Sequence, residues 1–79
     1  MAYVMFTPVT EEALRRRIAG RVRAHRLDMG MTLKVASQRA ELHWRHWQKI
    51  EAGQVSVTLW TLVRLGEALM TDPMELVKI

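Results

Sequence analysis

The stretch "ELHWRHWQKIEAG", residues 41–53, packs two tryptophans, two histidines and an arginine between Leu42 and Trp47. Whether those aromatics are core or surface decides the fold. On a helix over Trp44–Ala52, at ~100° per residue, Trp47, Ile50 and Glu51 share one side. Arg45, Gln48, Lys49 and Ala52 share the opposite side, with Trp44 and His46 on the two borders. Trp47 therefore reads as core beside Ile50, stapled against Leu42 just ahead of the helix cap. Trp44 reads as presented outward, next to Arg45. The outward side carries long hydrogen-bonding side chains and no aliphatic ones. Such a face suits the base edges of a DNA major groove, where arginine or lysine reads guanine and glutamine reads adenine. Glu51, turned inward, needs a partner.

Gly53 ends this helix, and a turn over Glu41–His43 precedes it. Upstream, Thr32 reads as the N-cap of a short helix over Leu33–Ala40. Further upstream, Thr10 caps a first helix, with Glu11 and Glu12 in its first turn where the helix dipole favours acids. Leu14, Ile18 and Val22 fall at i, i+4 and i+8 on it, with Leu27 nearby; it runs to about Met29, and Gly30 stops it. Gly20 weakens its middle and suggests a close approach. Downstream, Ser56 reads as the cap of a fourth helix reaching Leu69, with Leu59, Leu62, Val63, Leu65 and Leu69 as its apolar side. Asp72-Pro73-Met74-Glu75 has the form of a compact helix start, predicting a fifth helix to about Val77. Residues 1–9 hold Tyr3, Val4 and Phe6 before Pro8 and read as an extended arm. The expectation is an all-α fold: five helices in one domain over 10–79, behind an arm over 1–9.

A chain of 79 residues fits one domain that buries only about 60% of its unfolded surface. It has no cysteine, so no disulfide assists. No apolar run approaches the ~18 residues of a membrane span. The opening "MAYVMFTPV" lacks the basic region of a secretory signal. Charge is uneven: residues 13–49 hold ten basic residues and only two acids, Asp28 and Glu41. A basic middle between acidic flanks suits a polyanionic partner.

The pieces Arg26, "GMTLK" at 30–34, "KIEAGQ" at 49–54, "LWTLVRLGEAL" at 59–69 and "DPMEL" at 72–76 follow one another in this order. Together, from Ala19 to Leu76, they resemble the helix-turn-helix domain of Cro/CI-type phage repressors, the xenobiotic-response-element type, with its lambda-repressor-like fold. The resemblance implies that the second and third helices read DNA, with the third in the major groove. By position it implies base contacts from Trp44, Arg45 and Lys49, with Gln48 and His46 at positions that touch bases or phosphates. Gln48 also faces outward with the base readers. The resemblance further places Thr32 and Leu33 at the start of the second helix, and Gln54 and Ser56 after the third, against the phosphate backbone. Lys34, the basic neighbour of that first pair, joins the same phosphate set. The resemblance also implies a structural ion pair between Arg26 and Glu51.

This chain departs from the pattern at several places. Glu41 stands where the family usually has glycine, and a left-handed turn there would strain it. His43 replaces the usual serine or threonine cap. Ala36 and Trp47 replace a leucine and an isoleucine or valine, which reads as an exchange of volume. Leu33 replaces a phosphate-binding glutamine, and Met70 the glycine that normally ends the fourth helix.

Plainer readings stand beside these. Arg15–Arg17 read as a solvated face that adds only long-range attraction. Trp60 fits either partial burial or a dimer contact. His43 and His46 have helical i, i+3 spacing but are too few for zinc, so no metal and no cofactor is expected. No nucleophile pattern or phosphate-cradling glycine loop suggests an enzyme. The expected protein is a cytoplasmic, nucleoid-associated, bacterial or phage-encoded regulator, a homodimer repressing from an inverted repeat in double-stranded DNA. Restriction–modification controllers resemble it in size and in the loop after "IEAG". A protein-interaction module of antitoxin type, with a protein partner, is the competing class. Membrane-surface binding through the first helix ranks last, because its arginines are not segregated from its apolar stripe.

Overall fold

The computed structural model describes residues 9–78. The arm expected over 1–9 thus lies, apart from Val9, outside the described residues. Those residues form four α-helices and one short 3-10 turn, with no strand among them. Helix α1 spans Glu11–Asp28, α2 Leu33–Arg39, α3 Trp44–Glu51 and α4 Leu59–Leu69; the 3-10 turn is Pro73–Leu76.

Local chemistry sets most boundaries. The Thr10 hydroxyl accepts the Ala13 N–H at 3.0 Å, and the Thr32 hydroxyl accepts that of Val35 at 3.2 Å. Each satisfies one of the four N–H groups a helix start leaves unpaired. Gly30 and Gly53 adopt φ of 68° and 70°, the left-handed geometry that closes a helix. His43 caps α3 by another route: its Nδ1 accepts the Arg45 N–H at 3.1 Å.

The fifth helix is a correction. Asp72 does cap the segment, accepting the Met74 N–H at 2.9 Å. Only four residues follow, and they close in i→i+3 bonds, Glu75 N–H to the Asp72 carbonyl and Val77 N–H to that of Met74. The cap of α4 is a second correction. Thr58, not Ser56, holds it, accepting the Thr61 N–H at 3.0 Å. Helix α4 starts at Leu59, which projects into solvent at 82% exposure, so Leu59 is not part of the apolar side. Val63 and Leu27 are also exposed.

The core joins Ile18 and Val22 of α1, Ala36 of α2, Trp47 and Ile50 of α3, Leu62, Leu65 and Leu69 of α4, and Leu76. Leu42 is half-buried against it. Ala36 and Trp47 are both wholly buried in this one cluster. The close approach expected at Gly20 is absent: a Cβ there would meet nothing within 4 Å. It occurs at Gly66, where a Cβ would lie 2.8 Å from Pro73 Cγ and from the Thr71 carbonyl oxygen. Gly66 lets the 3-10 turn fold back on α4.

Candidate nucleic-acid interface

Helix α3 is buried along one side by Trp47 and Ile50, and this fixes what the other side presents. Arg45, Gln48 and Lys49 are exposed, and with Ala52 and Gln54 they line one shallow concavity. Four of the residues singled out from sequence are therefore brought together. Trp44, 44% exposed, stands at the N-terminal end of the same helix. The Arg45 guanidinium carbon lies 5.4 Å from its ring centroid, and the His43 ring stacks on it at 6.0 Å with 26° between planes. His46 is half-buried.

The residues assigned to phosphate are placed less uniformly. Thr32 and Lys34 are exposed at the start of α2. Leu33 is half-buried, its side chain packed against the core. Gln54 is exposed, and its N–H donates to the Lys49 carbonyl at 3.0 Å, fixing the chain as it leaves α3. The Ser56 hydroxyl donates to the Glu11 carboxylate at the start of α1. An acid thus already occupies Ser56.

Two arginines lock this frame. Arg26 Nε and Nη2 donate to the Glu51 carboxylate at 2.6 and 2.9 Å, and its Nη1 donates to the Met31 carbonyl at 2.9 Å. One side chain therefore ties α1 to the loop before α2 and to the end of α3. The hydrogen bond to Glu51 holds the guanidinium above its ordinary pKa; burial opposes this and the carboxylate's charge adds to it. The inward placement of Glu51 that the helical spacing predicts is what makes the pair possible. Arg64 of α4 is the second lock, and the sequence reading missed it. Its Nη1 donates to the Glu41 carbonyl at 3.2 Å and, at longer range, to that of Ala40 at 3.4 Å. It grips the turn between α2 and α3, where Glu41 takes a left-handed φ of 55°. The same guanidinium lies 5.1 Å from the ring centroid of Trp60, which is 63% exposed. The grip on Ala40 and Glu41 is not local in sequence, so no periodicity could signal it; Trp60 lies one helical turn before Arg64.

The arginines of α1 divide. Arg16 pairs with Glu12 one turn back, as on an ordinary solvated helix face, whereas Arg15, 3.8 Å from Glu11, is half-buried and not part of that face. Arg21 instead donates to the Glu75 carbonyl at 3.1 Å, and Arg17 reaches that of Val77 at 3.5 Å, fastening the C-terminal segment.

Residues 17–77 match the family model described as "Helix-turn-helix domain". The chain belongs to the helix-turn-helix family. Its structural neighbours fit the Cro/CI type, and the fold is that of DNA-binding transcription regulators. The restriction-modification controller protein C.AhdI from Aeromonas hydrophila superposes with a TM-score of 0.76 at 26% identity, over 78% of this chain and 94% of that one. The clp gene regulator ClgR from C. glutamicum does so at 0.75 and 21% identity, over 89% and 86% of the two chains. The hypothetical transcription factor NHTF from Neisseria reaches 0.80 at 17% identity, over 95% and 86%. The last two likenesses concern the fold alone. No curated protein sequence matches the chain. Among the described residues no helix is long and apolar enough to cross a membrane.

Proposed function

We propose that this helix-turn-helix protein is a sequence-specific transcriptional regulator in the cytoplasm that reads double-stranded DNA with α3. The observation that carries this is the concavity lined by Arg45, Gln48, Lys49 and Gln54 on the side of α3 opposite Trp47 and Ile50. A basic and amide-bearing face on a helix held rigid from behind suits base edges, with Arg45 or Lys49 to guanine and Gln48 to adenine. Thr32, Lys34, His46, Gln54 and the Leu33 backbone would take phosphates on either side. The regulator acts as a homodimer on an inverted repeat, and the mode is repression by occupancy. The likeness to C.AhdI, a restriction-modification controller, supports a controller subtype.

The exposed Leu59, Trp60 and Val63 on α4 favour a second reading, in which this face meets a different protein and DNA binding is secondary. Fluorescence anisotropy against the chain's own upstream DNA and a scrambled duplex, at low and physiological salt, separates the two. A regulator should keep its site at physiological salt with roughly a thousandfold preference or more. Weak binding to both duplexes that vanishes with salt would reduce the basic middle to an electrostatic footprint. Arg45→Ala should relax selectivity at one base pair and cost about 1–3 kcal/mol there.

A further inference from the structure

Within α3, Trp44 is the one exposed large apolar side chain; its outward companions Arg45, Gln48 and Lys49 are all polar. Its ring is already engaged with its neighbours. The Arg45 guanidinium lies 5.4 Å from the indole centroid, His43 stacks at 6.0 Å, and His43 Nδ1 accepts the Arg45 N–H. His43, Trp44 and Arg45 therefore form one aromatic–cation unit at the N-terminal end of the helix, the end that meets base edges in helix-turn-helix proteins.

The major groove offers hydrogen-bonding edges at every base pair and a single apolar feature, the pyrimidine 5-methyl group of thymine. A phosphate or a guanine edge offers the indole only an acceptor for its N–H, whereas a methyl group gives the apolar body of the ring a surface to cover. The arginine fork beside it matches guanine O6 and N7. The two side chains are held in contact, so their targets must be neighbours as well.

Resting on the base-reading role of α3 argued above, we propose that Trp44 and Arg45 act as one specificity element for a pyrimidine 5-methyl group next to a guanine. Trp44 covers the methyl and Arg45 binds the guanine. Trp44 is thereby a specificity-determining residue and not only a contact to the groove wall.

The test starts from duplexes selected by the full-length protein out of a random library. In the selected site each thymine is replaced in turn by deoxyuridine, which removes the methyl and nothing else. Wild type and Trp44→Ala are then titrated against each duplex, with melting curves to confirm that the variant is folded. One thymine per half-site, adjacent to a guanine, should weaken wild-type binding by roughly fourfold when its methyl is removed, the value of one buried carbon. The same replacement should leave Trp44→Ala unchanged. Cytosine placed at that step should gain affinity on C5 methylation, and no gain there overturns the 5-methyl group as the ligand. An equal deoxyuridine effect in both proteins, or none in the wild type, overturns the proposal while leaving α3 a base reader. A library that yields no preferred sequence overturns both.

Discussion

Arg26 on α1 grips Glu51 at the end of α3 with two parallel N–H···O bonds, 2.6 Å from Nε and 2.9 Å from Nη2. The two side chains are only 11% and 9% exposed. The pair is therefore a buried fork–fork contact and not a surface bridge. Removing one partner strands the other charge, so Arg26→Ala should lower stability by about 3–5 kcal/mol in denaturant titrations. Arg26→Lys should recover only part, because a lysine cannot make the bidentate bond and also reach the Met31 carbonyl. The pair should add no pH dependence on the alkaline side. A cation raised by its partner contributes stability that is complete below its unfolded pKa and is lost only as pH rises through the folded one. For arginine that window lies above about pH 12. Stability curves between about pH 7 and pH 10 should therefore be no steeper in the wild type than in Arg26→Ala.

Trp47 adds a third bond to the same carboxylate: its indole N–H donates to Glu51 Oε2 at 2.5 Å. The indole is wholly buried, so its role divides into packing and hydrogen bonding, and two variants separate them. Trp47→Ala should cost about 3–5 kcal/mol through lost transfer energy and the cavity left behind. Trp47→Phe keeps a ring but leaves an oxygen of Glu51 short of a donor, and should cost about 1–3 kcal/mol. Equal losses in the two variants would assign the effect to the N–H and the part of the indole that phenylalanine lacks, and not to the ring the two share. An unchanged midpoint in Trp47→Ala would remove Trp47 from the core.

Much of this arrangement is legible in the chain because it depends on local rules. Threonines 10 and 32, glycines 30 and 53, and the opposition of Trp47 and Ile50 to Arg45, Gln48 and Lys49 act over one or two turns. Glu41 takes a left-handed φ of 55° where glycine is the usual residue, and Met70, at φ 53°, does the same at the end of α4. Where two local options compete, the sequence is ambiguous. In "SVTL" both Ser56 and Thr58 can cap, and the choice falls to Thr58 because Ser56 is drawn to Glu11, 45 residues away. The grip of Arg64 on Ala40 and Glu41, and that of Arg21 on Glu75, depend on tertiary approach and have no signature in spacing.

Two glycines should respond to alanine with opposite signs. Gly20 is exposed in mid-helix with open space around its missing Cβ. Gly20→Ala should therefore stabilise the protein by about 0.5–1 kcal/mol. At Gly66 the new methyl would press on the Pro73 ring and on the Thr71 backbone carbonyl, neither of which can rotate away. Gly66→Ala should destabilise by about 1–3 kcal/mol. Thermal melts of the two variants beside the wild type check both signs. A stabilised Gly66→Ala would mean that the 3-10 turn moves aside without loss.

The Glu11–Ser56 contact leads to a prediction about DNA affinity. Ser56 follows α3 where a phosphate is expected, yet its hydroxyl donates to a carboxylate, which brings a negative charge to the approach of a polyanion. Glu11→Gln removes that charge and should tighten DNA binding by roughly two- to fivefold at low salt, with the gain shrinking as ionic strength rises. The substitution also removes an acid from the first turn of α1, which weakens the helix dipole contact. Glu12→Gln supplies the control. It has the same charge change and the same first-turn position, but Glu12 pairs with Arg16 and not with Ser56. Anisotropy titrations of both variants at two salt concentrations should show the larger gain for Glu11→Gln. Equal gains would reduce the effect to net charge, and no gain in either would place Ser56 away from the DNA.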